Sequence, residues 1–345
     1  MKVIALFLLL LSFSGFTQYN VGNNAFSGFE QTNACKSLGV GSKYYALPSG
    51  DLSTTLDQAA LLDSKMVGAM HSTIGILPSG VNFGIFSTAL KTKLGTIAPY
   101  IRYLNYGNFT ETNTIGEAIG NFNALDYQLG LSYAYAPNPF FRMGAQVNLL
   151  GSQLESYSAF GLSTSFSALL IHPKQLLTAA FGVRNFGYIF KDYSSNANST
   201  LPLDTYVALS YKLEHAPFRF HIIGHSLNRP NNIWLDPNAV PTYDPLTGDT
   251  IPIYAPNFGE KIANHLNFQL ELVPKGAFQL RMGFNYNRRQ QLKLNDFPGL
   301  AGFSLGTSIK IKKFDLDYAV QFYSKAGTIH AIGLSTDLQR WKKKI

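Results

Sequence analysis

Charge is what this chain has least of. Asp, Glu, Lys and Arg make up 14% of its 345 residues, against about 25% in ordinary soluble domains. That does not make it charge-driven disorder, which pairs high charge with few aromatics; here aromatics also reach 14%. Cysteine is nearly missing. A single one, Cys35, excludes a disulfide scaffold and a cysteine-ligated metal cluster. Long apolar runs are missing too. Beyond the N-terminus nothing approaches the ~18 consecutive apolar residues of a transmembrane helix. Yet mean hydropathy is only +0.01. Uncharged polar residues, 30 glycines, 26 Phe and 19 Tyr stand where charge would be. Something other than water is expected to cover part of the surface. The length fits two ordinary domains or one large all-β domain.

The first residues read Met1-Lys2, an apolar run from Val3 to Phe13, then Ser14-Gly15-Phe16-Thr17-Gln18. A charged start, a short apolar core and a small-x-small cleavage site predict a secretory signal over 1–17. An exported chain without a spanning helix is a soluble β-protein or a closed barrel, the one β-structure that satisfies its backbone in lipid.

Periodicity separates the two. Leu266–Leu272, Phe278–Asn287 and Phe314–Phe322 alternate apolar with polar or small residues. Period 2 over eight to ten residues matches a tilted membrane strand. The same reading predicts about fourteen strands between 66 and 337, an even number as in single-chain barrels. Alternate connections are short, as at Pro137–Pro139 and Lys312–Lys313. Several of the others are expected to be long: Tyr106–Asn123, Phe186–Pro202, Asn228–Lys261 and Arg288–Gly299. Short turns on one rim and long loops on the other is the pattern of outer-membrane barrels. The predicted fold is therefore an all-β, antiparallel transmembrane β-barrel of the outer membrane. Residues 18–65 are expected to form a plug with a helix-like stretch at Leu56–Leu62, 66–338 the barrel, and 339–345 a basic tail.

The strand faces carry little chemistry. His221 and His225 sit four apart, but on a strand that spans roughly 13 Å, too far to share one ion. No HExxH or GxSxG motif is present, and the loop carboxylates lack calcium-loop spacing. No catalytic residue, cofactor or metal is expected, and nucleic acid is a poor partner for an exported chain with dispersed basic residues. Candidate contacts with a surface partner fall on the long-loop rim: Trp234, Asp236, Tyr243 and Asp244 in one loop, and Arg288 and Arg289 in another. Two adjacent arginines suit a phosphate or an acidic surface; a solvated loop base is the alternative reading. Lumen-facing Asn267, Gln269, Glu271, Gln279, Arg281 and Asn285 argue against a greasy tunnel in the C-terminal half.

The segments Gly120–Tyr127, Leu201–Asp204 and His215–Phe220 resemble the PorV/PorQ family of barrels in the type IX protein secretion system of Bacteroidetes-type bacteria. Tyr286–Gln290 and Gly299–Ser304 are similar to it as well. The resemblance implies kinship with the FadL-type fatty-acid channel barrels, with fourteen strands and a plug. It also implies a non-catalytic anchor in the cell-surface attachment complex. There a PorQ-type barrel holds PorZ, beside PorU and PorV, and cargo is joined to lipopolysaccharide. The competing reading is a FadL-type transporter of hydrophobic small molecules, which requires an apolar pocket continuous with a lateral gap in the wall.

Overall fold

The computed structural model describes residues 24–30, 33–48, 51–93, 95–230, 232–233, 240–243, 246–274, 277–293, 299–324 and 327–341. The signal sequence predicted over 1–17 lies outside them, as do Trp234, Asp236, Asp244 and the end of the basic tail.

Fourteen antiparallel strands close into one barrel. They are β1 (Ala69–Ile76), β2 (Asn82–Thr88, resuming at Leu90–Thr92), β3 (Gly95–Thr112), β4 (Ala118–Asn138), β5 (Phe141–Leu154), β6 (Tyr157–Ile171) and β7 (Leu177–Lys191). The second half comprises β8 (Asp204–Lys212), β9 (Phe218–Gly224), β10 (Leu266–Leu272), β11 (Phe278–Asn285), β12 (Phe303–Ile311), β13 (Phe314–Ser324) and β14 (Gly327–Asp337). Each strand pairs with its neighbours in sequence, and β1 closes the ring on β14 from Ala69↔Asp337 to Ile76↔His330. Closure gives every strand two paired neighbours, so no strand is left as an open edge of the sheet.

Alternation sets the two faces. On β9, Phe218, Phe220 and Ile222 are exposed while Arg219, His221 and Ile223 are buried. The outward set faces lipid. Aromatics gather near both ends of that belt: Tyr135, Phe140, Tyr211, Phe278 and Phe314 near the short turns, and Phe160, Tyr188 and Phe303 near the loops. Such girdles mark the two membrane interfaces.

The N-terminal residues 33–48 and 51–66 run inside the wall. They form a short helix α1 (Cys35–Leu38) and 3-10 turns at Leu52–Leu56, Ala59–Leu61 and Ser64–Met66. The helix-like stretch expected at Leu56–Leu62 is thus two tight turns meeting at Asp57–Gln58. The segment is largely buried and bonds to inward-facing strand residues. Tyr206 Oη donates to Gln58 Oε1 at 3.0 Å, and Gln146 Nε2 to the Thr55 carbonyl at 2.8 Å. Arg142 grips the Asp63 carboxylate at 2.9 Å. Glycine permits close approach: a Cβ on Gly39 would stand 2.8 Å from the Gly306 Cα.

Loop boundaries differ from the sequence reading. Tyr106–Asn123 is not a long loop. β3 and β4 continue through most of it as one hairpin, with register shifts at Asn105/Gly107 and Glu111/Thr112 and a stacked Phe109–Phe122 pair. Bulges allow pairing to persist without strict alternation. Likewise β7 runs on to Lys191, so the connection expected from Phe186 begins only at Asp192. The largest connection holds helix α2 (Phe258–Ala263), and the loop expected at Arg288–Gly299 opens with helix α3 (Tyr286–Leu292).

Candidate functional site

The wall changes between β7 and β8. Their ladder begins at Leu177↔Tyr211 and ends at Arg184↔Asp204. β7 then continues for seven residues with no ladder partner on the β8 side among the described residues. The turning point is Asn185, a non-glycine residue at φ 58°. Asn and Asp tolerate this left-handed conformation best, because a short side chain can bond locally. Asn185 does so twice. Its backbone N–H donates to Ser165 Oγ at 3.2 Å and its Nδ2 to the Pro202 carbonyl at 3.1 Å. The β6–β7 register shifts at the same place, between Thr164 and Phe166.

A cavity of about 990 Å³ fills the resulting gap. Phe186, Tyr188 and Phe190 of β7 line it and are 62%, 70% and 65% exposed. Asn24, Asn228 and Arg229 line it as well. The connection 192–203 closes over it and is itself held. The Asp192 carboxylate accepts from the Tyr193 and Ser199 backbone N–H groups, each at 2.8 Å. Its slight burial would raise the Asp192 pKa, but these bonds outweigh that and hold it below the usual carboxylate range. Ala25 N–H donates to the Thr200 carbonyl at 3.1 Å, tying the loop to the N-terminal segment. The lining is therefore aromatic from β7 and polar from the segments packed within. That suits a molecule with an apolar body and a polar end, and the volume is at the upper end of the ~300–1,000 Å³ of small-molecule pockets.

The lumen beside β9–β11 is built differently. Glu271 accepts from Arg281 Nε at 3.1 Å, lies 3.1 Å from His221 Nε2, and bonds Tyr44 of the N-terminal segment. Arg219 Nε stands 4.0 Å away. Each of these groups is buried. His221 and His225 do not share an environment: His221 serves Glu271, while His225 lies against Ser226. Among the described residues no group of three or more His, Cys, Asp or Glu side chains is placed to hold a metal. Cys35 is buried and free; burial, with Asp317 nearby, pushes its thiol pKa up.

Of the residues singled out for partner contact, the three that are described have different surroundings. Tyr243 is 70% exposed, in a two-residue ladder with Thr250–Ile251. Arg288 is buried and points inward, 5.9 Å from the Tyr323 ring centre. Arg289 fastens its own loop through the Gly299 carbonyl at 2.5 Å. The adjacent arginines thus face different surroundings, because α3 turns them about 100° apart. The gap itself escaped sequence reading. Its one signal was the broken alternation around Arg184-Asn185.

No family model matches the chain, and no curated protein is similar to it in sequence. Solved structures are similar in fold. The CymD monoaromatic hydrocarbon channel superposes with a TM-score of 0.53 at 11% identity, over 88% of this chain and 97% of that one. The toluene transporter TbuX of Ralstonia pickettii gives 0.53 at 11%, over 91% and 100%. A deltaS2 mutant of the TodX monoaromatic hydrocarbon channel gives 0.54 at 10%, over 88% and 97%. The fold, a fourteen-stranded antiparallel outer-membrane barrel, is shared with these channels and this transporter.

Proposed function

We propose that this barrel takes up hydrophobic or amphipathic small molecules at its outer rim, in the manner of a FadL-type outer-membrane transporter. The observation that carries the reading is the gap between β7 and β8, with its 990 Å³ cavity reaching from exposed aromatics to Asn228 and Arg229. A lateral opening is what a transporter of membrane-soluble molecules requires. The fold is shared with two monoaromatic hydrocarbon channels and a toluene transporter. The polar, segment-filled lumen makes the rim a capture site, and onward passage requires the N-terminal segment to shift. The test is equilibrium binding of radiolabelled toluene and of a radiolabelled fatty acid to detergent-purified protein. Stoichiometric binding lost in Tyr188→Glu supports the reading. No saturable binding of either probe overturns it.

A second reading has its own observation. The connection between β9 and β10 exposes Val240, Tyr243, Tyr254 and Phe258 at 74%, 70%, 56% and 78%. Exposed apolar side chains along one connection are a feature of protein-binding surfaces. This supports the anchoring role implied by the PorV/PorQ resemblance, with a PorZ-like protein as partner beside PorU, PorV and lipopolysaccharide. Deleting 228–261 should leave the barrel assembled and reduce recovery of such a partner from mildly solubilised membranes. Undiminished recovery rules the loop out. The inward-facing Arg288 is removed from this surface.

A further inference from the structure

A groove of about 340 Å³ lies on the outer side of the wall, where β8, β9 and β10 reach the loop rim. Its floor is one row of registered residues, Val207, Gly224 and Leu266. Leu209 and Ile222, paired in the next outward row, continue it toward mid-strand. Leu227 from the chain leaving β9, Ile262 of α2 and His265 complete the lining.

Gly224 gives the groove its depth. It follows Phe218, Phe220 and Ile222 in the outward row of β9 and brings no side chain there. A Cβ at this position would meet Val207 Cγ2 at 3.4 Å and Leu227 Cδ2 at 3.7 Å, ordinary contact distances, so the fold itself does not demand glycine. Strand glycines are found where a ligand approaches the backbone closely.

The surroundings are fixed in advance. The Leu227 N–H donates to the Thr205 carbonyl at 3.0 Å, and Asn228 Oδ1 accepts from the Thr205 N–H at 3.1 Å. Helix α2 is held at its start by the Asn257–Glu260 capping box. Just past its end, His265 Nδ1 donates to the His225 carbonyl at 2.9 Å, and the His225 N–H donates to the His265 carbonyl at 2.9 Å.

The occupant follows from the chemistry and the setting. Apart from His265 the lining is aliphatic or glycine. Val207, Leu209 and Ile222 are 51%, 54% and 50% exposed and belong to the lipid belt, so the groove is continuous with the hydrocarbon of the bilayer. Lys261, the residue before Ile262, is exposed and has no ion-pair partner among the described residues. A hydrocarbon chain that ends in a negatively charged phosphate matches both features.

We propose that this groove seats one acyl chain of a phosphate-bearing membrane lipid, with Lys261 at its headgroup. Asn228, next to Leu227, lines the β7–β8 cavity instead, and the two cavities share no lining residue. The lipid site therefore stands or falls without the uptake reading.

The experiment is native mass spectrometry of the detergent-purified full chain, titrated with phosphatidylglycerol and separately with diacylglycerol. One phosphatidylglycerol is expected to bind more tightly than the weak series that follows it. Gly224→Leu fills the floor and should weaken that first site about tenfold, the burial of roughly two methylenes. Ile262→Asp, on an exposed helix position, should weaken it as well; this variant decides if Gly224→Leu does not fold. Lys261→Gln should weaken phosphatidylglycerol about fivefold and leave diacylglycerol unchanged. Leu305→Ala, elsewhere on the lipid belt, should change neither. A first lipid no tighter than the rest, or a first site equal in wild type and the folded groove variants, overturns the proposal. So does diacylglycerol held as tightly as phosphatidylglycerol. A co-purifying protein lost in Ile262→Asp gives the groove another occupant and overturns it too.

Discussion

Two stretches of the same wall behave in opposite ways. β9 and β10 have seven residues each and pair along their whole length, from Phe218↔Leu272 to Gly224↔Leu266. Behind them the lumen is locked by Glu271 and its cations. β7 has fifteen residues and β8 has nine, and their ladder stops at Arg184. Matched strands seal the wall; unmatched strands open it. The opening needs no proline and no missing strand. It needs one residue in the left-handed region and a neighbour that starts late.

The largest test of this contrast is Glu271→Leu. It strands Arg281 and Arg219 in a buried setting, and removing one partner of a buried ion pair costs ~3–5 kcal/mol. Urea unfolding followed by the band shift of the folded barrel should register that loss, whereas Tyr188→Ala in the gap should stay within ~0.5 kcal/mol, as for surface changes. Equal effects would mean that the two walls are not different in kind. Next comes depth. Leu209→Arg, in mid-strand on the lipid face, should cost ~2–4 kcal/mol, and Tyr188→Arg near the interface ~0–1 kcal/mol; refolding into liposomes measures both.

Cys35 offers a native probe of the sealed side. Buried, and with its thiolate disfavoured, it should react with maleimide on the order of a hundredfold more slowly than a cysteine placed by Tyr188→Cys. Comparable rates would show that the N-terminal segment is not packed. The smallest effect is acid sensitivity at the short-turn rim. Burial would raise the Asp63 carboxyl, but the Lys65 N–H and the Arg142 guanidinium together hold it below its ordinary value. A depressed carboxylate pKa stabilises above the unfolded value, about 3.9, and that contribution fades as pH falls through the folded value. Hydrogen exchange over 59–66 should therefore rise below about pH 4, and Arg142→Gln should reduce this pH dependence.

Much of the barrel was legible because membrane strands must alternate. β9 to β14 could be placed in the sequence to within a few residues at each end, closest at β13 and β14. The hairpin of β3 and β4 was hidden because Tyr106–Asn123 pairs through bulges and presents polar residues where apolar ones would announce a strand. The candidate site was harder to see. Arg288 looked like a rim contact because its neighbour Arg289 and the loop position suggested one; only the turn of α3 sends it into the lumen. The gap is a relation between the lengths of two strands, and no local pattern encodes such a relation. The lumen cluster was half visible. The inward polarity of Glu271 and Arg281 could be read, but not that Tyr44, more than two hundred residues away, completes it.

The pairing of Ala69 with Asp337 also dictates an order of events. The ring cannot shut until the last strand has been made and has found the first, a contact between nearly opposite ends of the chain. Residues 33–48 and 51–66 lie inside that ring, pressed against Gly306 and bonded to strands from both halves. Once the seam is zipped they are ringed by paired strands, interrupted among the described residues at the β7–β8 gap. Assembly must therefore wind the wall around its own contents. A barrel whose N-terminal segment is late would close empty, with a row of unmatched charges facing water.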